Sequence, residues 1–261
     1  VIFTIATPCF RAARFLPRCL DSVRAQAGPG IAVEHRVADG GSADGTVDLL
    51  RAAAPAWWVS EPDGGPAAAI NKAFAGARGD VLAWLNADDQ YTPGALARVA
   101  QVFRAHPRAA FVFGRCPIVD EHDREIRRGV TRVKEACFPF SCRFLHQCLN
   151  YISQPALFFR RSAWEAAGPL REDWVAAWDY AFTLRLWRQG PGRVVPGGPL
   201  ARFLWRPDSI SGARFETQFR EEWLACAEDA GRWSPQALAH RVVEKIIVSS
   251  YRRMNRPGSA R

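Results

Sequence analysis

No apolar run in the sequence comes near the ~20 residues that a membrane-crossing helix requires, so a helical span does not organise this chain. No Cys-x-x-Cys pair occurs among its seven cysteines. An odd count in a chain of this length points to a reducing compartment rather than a disulfide framework. There is no charged leader with a small-residue cleavage site, and Val1-Ile2-Phe3-Thr4-Ile5 reads as a strand rather than a signal peptide. The lack of an initiator Met is what a trimmed or partial start would give. Internal repeats are absent. Acidic residues are in deficit, 26 against 35 Lys and Arg, for a net charge of +9. That balance favours an anionic partner, whether nucleotide diphosphate, anionic lipid or nucleic acid. Arginine is spread widely, so composition alone does not choose among them.

What is present is ordinary for a globular protein. The 261 residues, 48% hydrophobic and 23% charged, can bury one large core, or one core with an appendage. Cys137, Cys142, His146 and Cys148 cluster, but their spacing matches no usual zinc pattern. Buried thiols beside Phe138, Phe140 and Phe144 are the favoured reading.

Strand-like and helix-like segments alternate. Strands are expected over 1–6, 31–38, 57–60, 81–85 and 110–115. Helices are expected over 12–26, 46–53 and 66–77, and from Thr92 or Pro93 to about His106. The pattern is lost over 117–151, read as an irregular insertion over the sheet edge. It resumes with a strand at 156–159, a short helix from Ser162, a helix over 178–189 and short strands at 194–195 and 201–205. Helices at 215–233 and 235–254 follow, and 258–261 is expected to be a disordered tail. This order predicts an α/β fold with a mostly parallel central sheet flanked by helices, plus a C-terminal helical extension. The expected division is 1–211 and 212–261.

Four segments carry the chemistry. The first, Thr7-Pro8-Cys9-Phe10, follows a strand. The second, Asp39-Gly40-Gly41-Ser42-Ala43-Asp44-Gly45-Thr46, ends a strand and opens a helix, where free amides suit an anion and Asp39 can accept from a base or ribose donor. A capped strand-to-helix turn explains it equally well. The third, Asn86-Ala87-Asp88-Asp89, ends another strand. Its adjacent carboxylates are costly unless neutralised, and Mg²⁺ or Mn²⁺ would both neutralise them and hold a diphosphate. An exposed turn is the competing reading. The fourth, Trp178-Asp179-Tyr180, sets a carboxylate among large apolar groups, which raises its pKa toward base chemistry. A helix cap is the plain alternative, and Glu172-Asp173 is a rival pair. Carboxylates at strand ends in an open α/β sheet lie where such sheets bind ligands, and the implied substrate is nucleotide-activated. Lys72 could pair with a phosphate or with Asp39. Gln154-Pro155, after Ser153, could meet hydroxyl groups, and Arg206 could neutralise a leaving diphosphate.

In this order and spacing the segments resemble the family 2 inverting glycosyltransferases of the GT-A fold over about residues 1–211, especially bacterial enzymes of surface-polysaccharide synthesis. Ser60-Glu61-Pro62-Asp63-Gly64-Gly65, Asn71-Lys72 and Gln154-Pro155 add to the resemblance. It implies that Thr7, Pro8, Phe10, Asp39, Gly40, Lys72, Asn86, Ala87 and Asp88 bind the nucleotide, with uracil as the base. It implies a divalent cation, Mg²⁺ or Mn²⁺, on Asp88 and Asp89. Asp179 becomes the catalytic base, with Gln154, Pro155, Trp178 and Arg206 around the acceptor and leaving group. The chain departs from the family pattern at Asn86, Trp178, Ala181 and Cys9-Phe10, and at Arg206, where many relatives carry a metal-binding His. The implied partners are a nucleotide-sugar donor and a glycan or lipid-linked acceptor, not nucleic acid.

The C-terminal arm bears Arg241, Lys245, Arg252, Arg253, Arg256 and Arg261 against one acid, Glu244. Val242, Val243, Ile246, Ile247 and Met254 give it an apolar side. Such a helix can lie on an anionic membrane, though packing on the core with a solvated basic face is slightly favoured. The expected location is cytoplasmic, with peripheral contact at the inner membrane face as the extension of that idea. Three rivals remain at this stage. A sugar-phosphate nucleotidyltransferase would need a Gly-rich, basic first loop, which Thr7-Pro8-Cys9-Phe10-Arg11 is not. A nucleic-acid binder would show steeply salt-dependent binding. A catalytically impaired glycosyltransferase relative would bind nucleotide without turnover.

Overall fold

A computed structural model describes residues 1–254. The chain runs β1 (Ile2–Cys9), α1 (Leu16–Arg24), β2 (Ala32–Asp39), α2 (Thr46–Ala53), β3 (Trp57–Ser60), α3 (Pro66–Phe74), β4 (Val81–Trp84), β5 (Gln90–Tyr91), α4 (Ala95–Ala105) and β6 (Phe111–Phe113). It continues through β7 (Ile118–Val119), β8 (Glu125–Ile126), α5 (Arg128–Ala136), α6 (Arg143–Cys148), β9 (Leu157–Arg160), α7 (Arg161–Ala167) and α8 (Trp178–Gln189). It closes with β10 (Gly192–Val194), β11 (Ala201–Leu204), α9 (Ile210–Ala213), α10 (Phe215–Ala230) and α11 (Pro235–Met254).

Among the described residues a seven-stranded sheet has the order β10-β6-β9-β4-β1-β2-β3. The pairs β1–β2, β1–β4, β2–β3 and β6–β10 are parallel, and β9 runs antiparallel between β4 and β6. Side chains alternate strictly, as the strand period of two requires. Phe3, Ile5, Val81, Ala83, Val112 and Phe158 face one core with Val23 of α1 and Leu96, Val99 and Phe103 of α4. Leu82, Trp84, Phe111, Phe113, Leu157 and Phe159 face the other, with Ile70 and Phe74 of α3 and Trp178, Phe182 and Leu186 of α8. The sheet is therefore buried on both faces, as a mainly parallel sheet must be. In register, Cys9 pairs with Asp39 and Ala6 with Trp84, so the loops after β1, β2 and β4 leave from one edge.

One expectation needs correction. Residues 117–151 are not irregular: they form β7, β8, α5, a 3-10 turn over Phe138–Phe140 and α6. Strand β7 joins β11, β5 and β8 in a small four-stranded sheet. Within the segment, Cys142 caps α6, its Sγ accepting from the Leu145 N–H at 3.5 Å. His146 is buried against the rings of Tyr151 and Tyr180, and that burial lowers its pKa to about 3. The segment also anchors the C-terminal helices. Asp229 of α10 accepts from Arg143 at 2.9 Å, Gln147 at 2.7 Å and Arg188 at 2.5 Å. Glu221 accepts from the Ala176 and Ala177 N–H groups at 2.8 and 2.9 Å, just before α8. Arg241 pairs with Glu244 at 2.8 Å and lies over the Trp223 ring. The expected tail at 258–261, with Arg256 and Arg261, lies outside the described residues, as do the side chains of Arg252, Arg253 and Met254.

Because Asp229 ties three donors from two other helices, Asp229→Ala should lower stability by about 1–3 kcal/mol, since the buried Gln147 amide loses its acceptor while Arg143 and Arg188 are partly exposed. A urea titration followed by circular dichroism reads this, and an unchanged midpoint would contradict the anchoring role.

Candidate active site

The loops leaving the common sheet edge enclose a cavity of about 1010 Å³ with α5, α8, α10 and α11. Pro8, Phe10, Gly40 and Asp63 line one end, and Asn86, Ala87 and Asp88 line its floor. Gln154, Pro155, Trp178, Asp179 and Arg206 complete the expected set. Glu222 and His240, from the C-terminal helices, also reach it.

Two loops at the first end are fixed by Asp39. Its Oδ2 accepts from the Ser42 N–H at 2.9 Å and the Ser60 hydroxyl at 2.6 Å, and its Oδ1 accepts from the Ser42 hydroxyl at 2.5 Å. Ser42 Oγ in turn accepts from the Arg11 N–H at 2.7 Å, which holds Arg11 in the left-handed region at φ 49°. Asp39 itself is 1% exposed and lies behind the wall rather than on it. Beside it Gly40 is confined: a Cβ there would approach Asp63 Oδ2 and the Phe10 ring at 3.3 Å.

Thr7 and Lys72, like Asp39, are expected nucleotide-binding residues that do not reach the cavity. Thr7 is fully buried, its hydroxyl 2.9 Å from His35 Nε2, because strand alternation turns it into the layer opposite Ala6. Lys72 donates to Glu61 Oε1 at 2.7 Å, so an acid on the loop before α3 takes its charge. The rival base pair is likewise engaged elsewhere: Glu172 accepts from Asn71 at 2.8 Å and Asp173 pairs with Arg171 at 2.6 Å.

The two adjacent carboxylates after β4 have separate jobs. Asp89 is fully buried. Its Oδ1 accepts from the Leu204 N–H at 2.9 Å and its Oδ2 from Asn86 Nδ2 at 3.2 Å. Burial, and then the charge of Asp88, push its pKa well up. It is a structural tie, and the expectation that it ligates a metal is corrected. Asp88 faces the cavity, where Arg206 Nη2 donates to its Oδ2 at 3.2 Å. Burial raises the Asp88 pKa and the guanidinium opposes that rise. Arg206 also donates to Asp208 at 3.0 Å and stacks over Phe15, and its Nε–H has no acceptor among the described residues. Gln154 donates to the Trp84 carbonyl at 2.7 Å, and Asn86 to Gln154 Oε1 at 3.4 Å.

Asp179 lies in the first turn of α8, its Oδ1 accepting from the Tyr180 N–H at 2.7 Å. Burial raises its pKa to about 7, with the Glu222 carboxylate adding to the rise and the Tyr180 N–H and Lys134 opposing it. Glu222 is 4% exposed and accepts from Asn150 at 3.1 Å and Gln218 at 3.2 Å. A carboxylate half-protonated near neutrality, opening on a cavity, is matched to general-base work.

The comparisons follow this geometry. The model of the family "Glycosyl transferase family 2" matches residues 4–166, which spans β1 through α7 and so all three strand-end loops. The chain belongs to glycosyl transferase family 2. An uncharacterized glycosyltransferase of Mycobacterium tuberculosis is 34% identical over 173 residues, covering 65% of this chain. The match covers 63% of that relative's length. A PGL/p-HBAD biosynthesis glycosyltransferase of Mycobacterium bovis is 31% identical over 187 residues, 69% of this chain and 68% of the relative. Among solved structures, Staphylococcus aureus TarS 1–349 in complex with UDP-GlcNAc aligns with TM-score 0.68 at 15% identity, over 98% of this chain and 74% of that one. Mannosyltransferase PcManGT from Pyrobaculum calidifontis, in complex with GDP-Man and Mn²⁺, aligns with TM-score 0.64 at 18% identity, over 97% and 79%. Those two likenesses establish the α/β GT-A fold.

Sequence reasoning missed Phe15, Asp63, Glu222 and His240 as cavity residues. Asp63 sits in the Ser60-Glu61-Pro62-Asp63-Gly64-Gly65 stretch, which adds to the family resemblance without singling out Asp63. Glu222 and His240 carry no local signal, since tertiary packing alone brings them to Asp179. The division of labour after β4 is testable by thermal unfolding. Asp89→Ala should cost about 1–3 kcal/mol by stranding a buried N–H, while Asp88→Ala should leave the midpoint nearly unchanged. Equal losses would contradict it.

Proposed function

We propose that this enzyme transfers a sugar from a nucleotide-sugar, with UDP as the nucleotide, to a hydroxyl of a glycan or lipid-linked acceptor in cell-surface polysaccharide synthesis, inverting the anomeric carbon. Asp179 carries the reading: a cavity-facing carboxylate with a pKa of about 7, in the cavity that the strand-end loops line. Asp179 takes the acceptor hydroxyl proton. The oxygen attacks the anomeric carbon as the bond to the diphosphate breaks, and the nucleoside diphosphate leaves with the bonding pair. Attack from the face opposite the leaving group inverts the configuration. One carboxylate suffices as base because no covalent sugar–enzyme intermediate is formed.

Pro8, Phe10 and Gly40 frame the base, and Asp39, behind that wall, holds their loops in place through Ser42 and Ser60. Asn86, Ala87 and Asp88 meet the ribose and diphosphate. Arg206, with its unpartnered Nε–H, supplies charge to the departing diphosphate. Of the donor set, Asp88 alone fits a divalent cation, and it shares that carboxylate with Arg206. A Mg²⁺ or Mn²⁺ held there would add Lewis-acid neutralisation of the diphosphate. The UDP-GlcNAc of the TarS structure and the GDP-Man and Mn²⁺ of the PcManGT structure support this donor class. We further propose that residues 1–211 form the transferase unit and 212–261 an extension that completes the acceptor wall. The working location is cytoplasmic, with peripheral contact at the inner membrane face.

Calorimetric titration of UDP, GDP and dTDP, with and without Mn²⁺, tests the donor. UDP should bind best, and Arg206→Ala should weaken it about 10–100-fold, the worth of a charge-assisted contact. Preference for another nucleotide contradicts the UDP assignment, and failure of a folded sample to bind any of them contradicts the function. Asp179→Asn should keep UDP affinity and lose turnover by about 10²–10⁴-fold. The base must be ionised, so kcat/KM should rise with pH to a plateau above an inflection near 7. Glu222→Gln, by removing a like charge, should move that inflection down. A flat profile, or UDP binding without turnover in the unmodified chain, would favour the catalytically impaired alternative that the departures at Asn86 and Arg206 raise.

A further inference from the structure

The cavity changes character beyond Asp179. Its loops present Asp63, Asn86, Asp88 and Arg206, whereas α5 and α11 present Val130, Val133, Val243, Ile246 and Ile247 beside Lys134, His240 and Glu244. Val133 is 57% exposed and Ile246 61%, although apolar side chains lining a cavity are normally covered by their neighbours. Ile246 also ends a second row, Leu238–Val242–Ile246, four residues apart on one face of α11 and 51%, 58% and 61% exposed. Apolar surface therefore continues from the cavity of Asp179 out across the side of α11.

A purely carbohydrate acceptor would bring hydroxyl groups against Val133, Val243 and Ile246, which offer them no hydrogen-bond partner. A hydrocarbon chain loses nothing there and leaves water. We infer that the acceptor is an amphiphile, its hydroxyl-bearing head at Asp179 and its hydrocarbon portion in the slot between Val133 of α5 and Ile246 of α11. Val133, Ile246 and Asp179 line one cavity, so head and tail of one molecule can occupy both places at once. This inference rests on the role given to Asp179 above and narrows the acceptor class to lipid-linked molecules.

The probe is a series of methyl, hexyl and octyl β-D-glucosides, titrated calorimetrically below micelle-forming concentrations into protein saturated with UDP. Burial of each methylene is worth up to about fourfold in affinity, so octyl glucoside should bind at least roughly 100-fold more tightly than methyl glucoside even with the tail half covered. Val133→Asp with Ile246→Asp, at two exposed positions that folding tolerates, should flatten the series while UDP affinity stays unchanged. Val133→Leu with Ile246→Leu should retain the gradient. An affinity independent of chain length in the unmodified protein overturns the inference, as does a gradient that survives both Asp substitutions. UDP affinity is read on the same samples. Its absence would contradict the donor reading and the inference with it, whereas a flat series on a UDP-binding sample overturns the inference alone.

Discussion

Asp89 is the tie on which the geometry of this site depends. It is fully buried, and it joins the end of β4 to β11 by accepting the Leu204 N–H, while holding Asn86 with its other oxygen. Those bonds fix the loop that presents Asp88 to the cavity, and they set the exit of β11, from which Arg206 follows two residues later. The contact between Arg206 and Asp88 at 3.2 Å is a consequence of that tie. A buried acid with its pKa pushed well up is costly unless fully hydrogen-bonded, and here the cost fixes two distant segments at one place.

The same logic, in which a buried polar group positions a reactive one, recurs around the cavity. Asp39 spends three hydrogen bonds on Ser42 and Ser60 and thereby sets Gly40 and, through Ser42, Arg11. Glu221 and Asp229 hold α10 against α8 and α6, which brings Glu222 beside Asp179. The raised pKa of Asp179 comes first from burial, and this helix packing adds the Glu222 charge to it. Helix α10 sets Glu222 near Asp179, and α10 and α11 wall the cavity.

Much of the scaffold was legible in the sequence because a sheet buried on both faces requires long apolar runs bounded by turn residues. Those runs at β1, β4 and β9 stand out, whereas β2 carries Glu34-His35-Arg36 at its centre. The helices α8 and α11 lie where the periodicity predicts them, Trp178–Gln189 and Pro235–Met254. The segment 117–151 was opaque because α5 is short, mostly polar and opened by Arg128-Gly129, so its helicity depends on its surroundings rather than on propensity. Within the site, motif spacing identified the loops correctly but not which residue of each loop faces the cavity. Thr7 and Asp89 are turned away, Lys72 is paired with Glu61, and Asp63 stands forward. Side-chain direction at a strand end is set by register, and acid–base pairing by three-dimensional neighbours, neither of which a linear motif contains.

The central claim is that Asp179 acts as a lone base in an inverting transfer. Water can replace the acceptor in slow donor hydrolysis, so the claim can be tested without knowing the acceptor. Proton NMR of α-linked UDP-sugars with the enzyme, recorded before the released sugar mutarotates, reads the configuration of the first product directly. The account predicts that the β anomer appears first. Initial release of the α anomer would contradict it, because retention requires a nucleophile or an ion-pair route that a single displaced base does not provide.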